Sequence, residues 1–176
     1  MAKLQSFAPV IGNKPRVLIV GSMPSIKSLE EQEYYGNPRN HFWPIMYRIL
    51  EDKPAETYAE KIHLIKKNHI ALWDTIGYCY RQGSLDIHIE EEEPNDIAGL
   101  LEEYPTIQLI ACNGTKAYQM YKKFISPLLQ QEIDVIKLPS TSPVPGKYNK
   151  TFEEKIESWS VITNYLDVIK SYEEEI

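Results

Sequence analysis

The residues best equipped for chemistry lie in two short blocks near the start of the chain. Val17 to Ser25 reads VLIVGSMPS, an apolar run that ends in a glycine turn carrying Ser22 and Met23. Tyr34 to Trp43 reads YYGNPRNHFW and packs two tyrosines, two asparagines and a Phe-Trp pair into ten residues. Aromatic rings beside carboxamides can hold and read a flat, hydrogen-bonding molecule. The ring stacks on its face, and the amide offers an acceptor oxygen and two donor hydrogens to its edge. A nucleobase is the obvious ligand of that kind. Far downstream, Leu138 to Pro143 reads LPSTSP, a hydroxyl-rich loop suited to phosphate.

Each candidate also has a plainer role. Asn40 stands just before Phe42-Trp43, where a helix cap is as natural as a water-positioning amide. Tyr35 is either a stacking platform or a loop tyrosine covering the core. Asn113 precedes Gly114, so it is either an edge-reading amide or a turn residue. Asp74 is a base-side acceptor or a cap, and the sequence favours the cap. Ser140, Thr141 and Ser142 are phosphate ligands or an ordinary surface loop. Arg39, Lys116 and Lys147 are phosphate partners or solvated cations, and Val144 is a candidate wedge for opening a duplex. Phe42 and Trp43 continue into Ile45, Met46, Ile49 and Leu50 at helical spacing and read as core. The four histidines show no metal-ligand spacing.

These residues need a scaffold, and the apolar pattern supplies one. Arg16 to Val20, His69 to Trp73, Ile107 to Cys112 and Asp134 to Leu138 are near-continuous apolar runs, as in a parallel sheet covered on both faces. Helical stretches alternate with them: Phe42 to Leu50, Ala55 to Lys67, Asn95 to Tyr104 with Asn95 as cap, Lys116 to Phe124, and Phe152 to Lys170 with Thr151 as cap and Glu154 completing a capping box. The expected fold is α/β, a three-layer αβα sandwich around a short four-stranded parallel sheet, in one domain over 1–176. Gly77 to Pro94 lacks periodicity and reads as a long surface loop. In open α/β sheets, ligands sit beyond the C-terminal strand ends. Gly21 to Ser25, Trp73 to Thr75, Asn113 to Thr115 and Pro139 to Pro143 all fall there.

Composition narrows the class. The 176 residues are 43% hydrophobic and 25% charged, ordinary for a soluble protein. There is no run of 18 apolar residues, and the start is a poor signal peptide. Cys79 and Cys112 read as reduced thiols, as in a cytoplasmic protein. The formal charge of −6 argues against a polyanionic partner, but the acidic runs Glu90 to Glu93 and Glu173 to Glu175 account for it, which leaves a local basic surface open.

Taken together, the segments Gly21 to Ser25, Tyr35 to Trp43, Ala71 to Asp74, Asn113-Gly114 and Leu138 to Pro143 resemble the uracil-DNA glycosylase superfamily, in its order and at compatible spacing. The likeness is nearest to its mismatch-specific and hypoxanthine-DNA glycosylase branches. In that family the first motif places an Asp or Asn where this chain has Met23, and the second motif often opens with His where it has Leu138. The resemblance implies a catalytic amide at Asn40, a stacking ring at Tyr35 and a base-reading amide at Asn113. It also implies a base pocket lined by Ser22, Met23 and Asp74, and phosphate contacts from Ser140, Thr141, Ser142 and Lys147. The implied activity is a monofunctional, cofactor-free DNA glycosylase of base excision repair. It would hydrolyse the bond between deoxyribose and a flipped deaminated base, hypoxanthine or uracil. The implied partner is double-stranded DNA with a damaged or mismatched base, bound by a monomer. Two other readings stay open: a non-catalytic damaged-base-binding module, suggested by Met23, and a small-molecule nucleoside hydrolase, suggested by the acidic charge.

Overall fold

The computed structural model describes residues 1–143 and 150–166. In chain order the elements are β1 (Lys3–Gln5), β2 (Val17–Gly21), α1 (Ile26–Glu31), α2 (Phe42–Ile49), α3 (Tyr58–Lys67), β3 (Ile70–Asp74), β4 (Ile76–Tyr80), β5 (Glu90–Pro94), α4 (Ile97–Glu103), β6 (Leu109–Asn113), α5 (Thr115–Met120), β7 (Asp134–Leu138) and α6 (Phe152–Trp159).

The four apolar runs form one parallel sheet in the order β3-β2-β6-β7. Alternation along β2 divides the core. Val17 and Ile19 face a cluster with Phe42, Ile45 and Met46 of α2, Ile65 of α3 and Trp159 of α6. Leu18 and Val20 face Ile97 and Leu100 of α4, Ala117 of α5 and Ile110 and Cys112 of β6. Helices cover both faces, giving the expected three layers. All of Val17 to Val20 is buried, which is why the run shows no polar alternation. The sheet register sets Gly21 beside Asp74 and Asn113 beside Leu138, so four strands deliver their C-terminal ends to one edge.

Several local expectations need correction. Gly77 to Pro94 is not a long loop: β4 and β5 pair antiparallel, and β1 extends them into a second, three-stranded sheet. Four consecutive glutamates hid β5, because their strand pairing leaves the carboxylates largely at the surface, where Glu93 meets Lys3 at 3.0 Å. The cap of α4 is Asp96, which accepts from the Gly99 N–H. Asn95 instead donates to the Asp74 carbonyl at 2.8 Å and ties the β3–β4 turn. Helix α3 starts at Tyr58 behind a Thr57 cap rather than at Ala55. The short α1 was not expected. The Thr151–Glu154 capping box forms as read, but α6 ends at Trp159 and continues as a 3₁₀ turn; the expected end at Lys170 lies outside the described residues.

Candidate active site

A cleft of about 500 Å³ opens over the C-terminal edge of the parallel sheet. Ser22, Met23, Tyr35, Asn40, Asp74, Asn113, Ser140, Thr141 and Ser142 all line it. Nine candidate residues from five separate segments thus meet in one place. Lys147 and Val144 lie outside the described residues. Arg39 and Lys116 are not among the lining residues.

Tyr35 forms a wall of the cleft. Its backbone is left-handed (φ 54°), an uncommon state for a bulky residue and one that persists only where surrounding structure enforces it. The turn lays the ring on Phe42, with centroids 4.0 Å apart and planes 22° apart. Phe42 is fully buried, whereas Tyr35 is only partly so. One face of Tyr35 is therefore backed by core, and the residue borders the cavity. Burial raises the pKa of its phenol, Asp74 adds to the rise, and the nearby Asn113 amide opposes it.

Asn40 stands at the start of α2. The cap position itself is held by His41, whose side chain makes no capping bond, so Asn40 is not the helix cap that the sequence offered. Its Oδ1 instead accepts from the Phe42 N–H at 2.8 Å in a local turn. A carboxamide oxygen has a second lone pair and the amide nitrogen two hydrogens, so this bond leaves it able to hold water. Next to it, the His41 N–H donates to the Thr141 carbonyl at 3.0 Å, which pins the start of α2 to the Ser/Thr loop. The His41 ring meets the buried Lys155 ammonium, Nδ1 to Nζ, at 3.2 Å. Burial, then the Lys155 charge, lowers the His41 pKa.

Asn113 and Thr141 are cross-linked twice. The Asn113 amide donates to Thr141 Oγ1 at 2.9 Å, and its Oδ1 accepts from the Thr141 N–H at 3.0 Å. Beyond these two bonds the Asn113 carboxamide has a second hydrogen and a second lone pair, with the Tyr35 hydroxyl close by. Gly114 follows at φ 95°, the turn role expected of Asn-Gly. Thr141 needs correction: it is 1% exposed and its hydroxyl is turned onto Asn113, so it acts as an internal strut and cannot face a backbone phosphate. Ser140 and Ser142 flank it on the cleft.

Ser22 and Met23 are mostly buried. Ser22 Oγ donates to Asp86 Oδ1 at 2.7 Å. Met23 borders the cleft but packs on Ile76, Cys79, Ile89 and Met120, so it contributes wall rather than chemistry.

Asp74 differs most from its sequence reading. It caps nothing among the described residues. The turn after β3 is held instead by the Thr75 hydroxyl on the Gly21 carbonyl at 3.0 Å and by Asn95. Asp74 is 4% exposed, lines the cleft, and its Oδ2 is buried without a hydrogen-bond partner. Burial, and then the charge of Asp86, push its carboxyl up to about 7, against a smaller pull from Arg81.

Sequence reasoning missed the segment that closes this side of the cleft. Arg81 donates through Nε to the Gly83 carbonyl and through Nη2 to the Pro24 carbonyl, each at 2.7 Å. The Ile26 N–H donates to Ser84 Oγ at 2.9 Å. These bonds seat Ser84 to Ile87 against the β2 turn and bring Asp86 into the cavity. The polar turn Arg81-Gln82-Gly83-Ser84 was the available signal, but nothing in it said which way the loop folds.

A cleft at the strand ends of a three-layer α/β domain, walled by an aromatic ring and carboxamides, defines an enzyme-like pocket for a planar polar ligand. The chain belongs to the uracil DNA glycosylase superfamily, whose family model matches residues 9–163. It is 36% identical over 156 residues to a hypoxanthine DNA glycosylase of Methanosarcina acetivorans, covering 88% of this chain and 96% of that one. It is also 36% identical over 116 residues to a hypoxanthine DNA glycosylase of Methanosarcina barkeri, covering 65% and 73%. The solution NMR structure of a candidate uracil DNA glycosylase from M. acetivorans superposes with a TM-score of 0.80 at 32% identity, covering 94% of this chain and 99% of that one. The chain is accordingly a DNA glycosylase, a hydrolase of N-glycosyl bonds.

Proposed function

We propose that this enzyme removes a deaminated base, hypoxanthine first and uracil second, from double-stranded DNA by hydrolysis after flipping it into the cleft. The observation that carries this reading is the meeting of Tyr35, Asn40, Asp74, Asn113 and Ser140 around one cavity. The names of the Methanosarcina relatives support hypoxanthine as the base.

The chemistry follows from the residues. A base inside the duplex is unreachable, so it must leave the stack. Tyr35, braced on Phe42, receives it face-on; stacking of this kind is worth about 1–3 kcal/mol. The second hydrogen and lone pair of Asn113 meet the lactam edge, a donor and acceptor side by side. The backbone phosphates rest on Ser140 and Ser142, which fix register without reading sequence. Cleavage passes through an oxocarbenium-like sugar, so a positioned water suffices and a strong nucleophile is unnecessary. Asn40 orients that water with the lone pair its helix bond leaves free. Met23 cannot do this, which is why the amide must come from the next segment. The protein acts as a monomer.

A lesion panel tests the reading. Duplexes carrying one deoxyinosine or one deoxyuridine, and unmodified controls, are incubated with the enzyme, and abasic sites are revealed by alkali. Cleavage at deoxyinosine, weaker cleavage at deoxyuridine and none in controls are expected. Binding without cleavage of any lesion would instead make the protein a base-binding module. Turnover of free deoxyinosine with no action on DNA would make it a nucleoside hydrolase.

A further inference from the structure

We propose that Asp74 is a second catalytic group, which passes a proton to the base as its bond to the sugar breaks; this rests on the glycosylase reading above. Asp74 ends β3 beside Gly21, and its Oδ1 would lie 2.6 Å from a Cβ added there. Only glycine leaves room for the carboxyl at this edge. The Tyr35 hydroxyl would sit 3.4 Å from the same Cβ, so ring and carboxyl border the same corner of the cleft. Its other oxygen is buried and unpartnered among the described residues. Burying a polar atom without a hydrogen bond costs about 1–3 kcal/mol, and such atoms call for a reason. Structure does not provide one, because Thr75 and Asn95 already hold the turn.

The groups facing Asp74 keep the proton on it. Asp86, fixed by Ser22 Oγ, presents a second carboxylate. Arg81 is the cation that acts on Asp74 among the described residues, but the bonds it donates go to the Gly83 and Pro24 carbonyls and none goes to Asp74. The Tyr34 and Tyr35 phenols stay neutral, each driven up mainly by burial and secondarily by Asp74 itself. A buried carboxyl that holds its proton beside a second carboxylate is a usual arrangement for a general acid.

The step balances. Water oxygen bonds to the sugar C1′ as the C1′–N bond breaks, and the bonding pair goes to the base nitrogen system. The Asp74 O–H gives its proton to the base, which leaves neutral rather than as an anion. The proton lost by water returns through solvent to the Asp74 carboxylate. The products are the free base and an abasic sugar.

The test is single-turnover cleavage of a deoxyinosine duplex from pH 5.5 to 9 by wild type and Asp74→Asn, with lesion-duplex affinity and melting temperature measured alongside. Wild type should be level at low pH and lose tenfold per pH unit above about 7. Asp74→Asn should bind the duplex within threefold, stay folded, cleave roughly 10²–10³-fold more slowly at pH 6, and lack that falling limb. A variant that cleaves within threefold of wild type, or keeps the same limb, overturns the role of Asp74 and leaves the glycosylase standing. A wild type inactive on every lesion overturns both.

Discussion

Gly21 and Asp74 are neighbours in register at the ends of β2 and β3, and the carboxyl of one occupies the space a Cβ of the other would fill. A strand end without a side chain thus lets its neighbour point an acid into the cleft. Gly21→Ala must displace Asp74 Oδ1, since a 2.6 Å contact is not tolerated. Misplacing a reacting group by about 1 Å can lower rate by on the order of 10²-fold. Gly21→Ala should therefore cleave deoxyinosine DNA roughly 10- to 100-fold more slowly, while melting only a few degrees lower. A rate equal to wild type would contradict the placement.

The same carboxyl sets a pH dependence of stability. Its folded pKa, about 7, lies above the ordinary value of 3.8, so the native state holds the proton more tightly than the unfolded chain. Stability is therefore fullest below about pH 4 as far as this group is concerned, falls as pH rises towards 7, and stays lowered beyond it. The span of that penalty is roughly 4 kcal/mol. Asp74→Asn carries no charge and should melt several degrees above wild type at pH 8, with the gap closing as pH falls to 4. Calorimetric scans at both pH values check this; an equal gap at both would show that Asp74 does not titrate as described.

Tyr35 is expected to act through its ring. Tyr35→Phe keeps the stack on Phe42 and should bind lesion duplex as wild type does. Tyr35→Ala removes a platform worth about 1–3 kcal/mol, or roughly 5- to 150-fold in affinity. Fluorescence titration of a deoxyinosine duplex separates the two variants. Equal loss in both would move the role from ring to hydroxyl.

Thr141 braces Asn113 rather than a backbone phosphate. Thr141→Val leaves a part-buried amide hydrogen of Asn113 without its partner, at about 1 kcal/mol of stability, and should slow cleavage without changing the salt dependence of DNA binding. Ser140→Ala and Ser142→Ala should weaken binding alike for all sequences. A changed salt slope in Thr141→Val would return it to the phosphate set.

The parallel sheet was legible because strands buried on both faces leave unbroken apolar runs, as at Val17 to Val20. The cleft followed from it, since strand ends gather wherever chain order puts them. What escaped was set by tertiary contact. The glutamates of β5 have poor strand propensity and pair only because β4 lies beside them. Asp74 looked like a cap because the alternative, an unpaired buried acid, is a state that local sequence never favours. Thr141 looked exposed inside a Ser/Pro loop, and only the fold reveals Asn113 beneath it. Asp86 reached the site through a loop whose path depends on Arg81 finding the Pro24 carbonyl.

The most direct measurement is single-turnover cleavage of a deoxyinosine duplex by wild type and by Asn40→Ala, with melting temperatures as the folding control. Losing the bond to the Phe42 N–H should lower stability by about 1 kcal/mol. The expected result is a folded Asn40→Ala protein that binds the duplex but cleaves at least 100-fold more slowly, on the scale of losing one preorganised polar group. Cleavage by Asn40→Ala at the wild-type rate would contradict the assignment of this amide as the group that holds the attacking water.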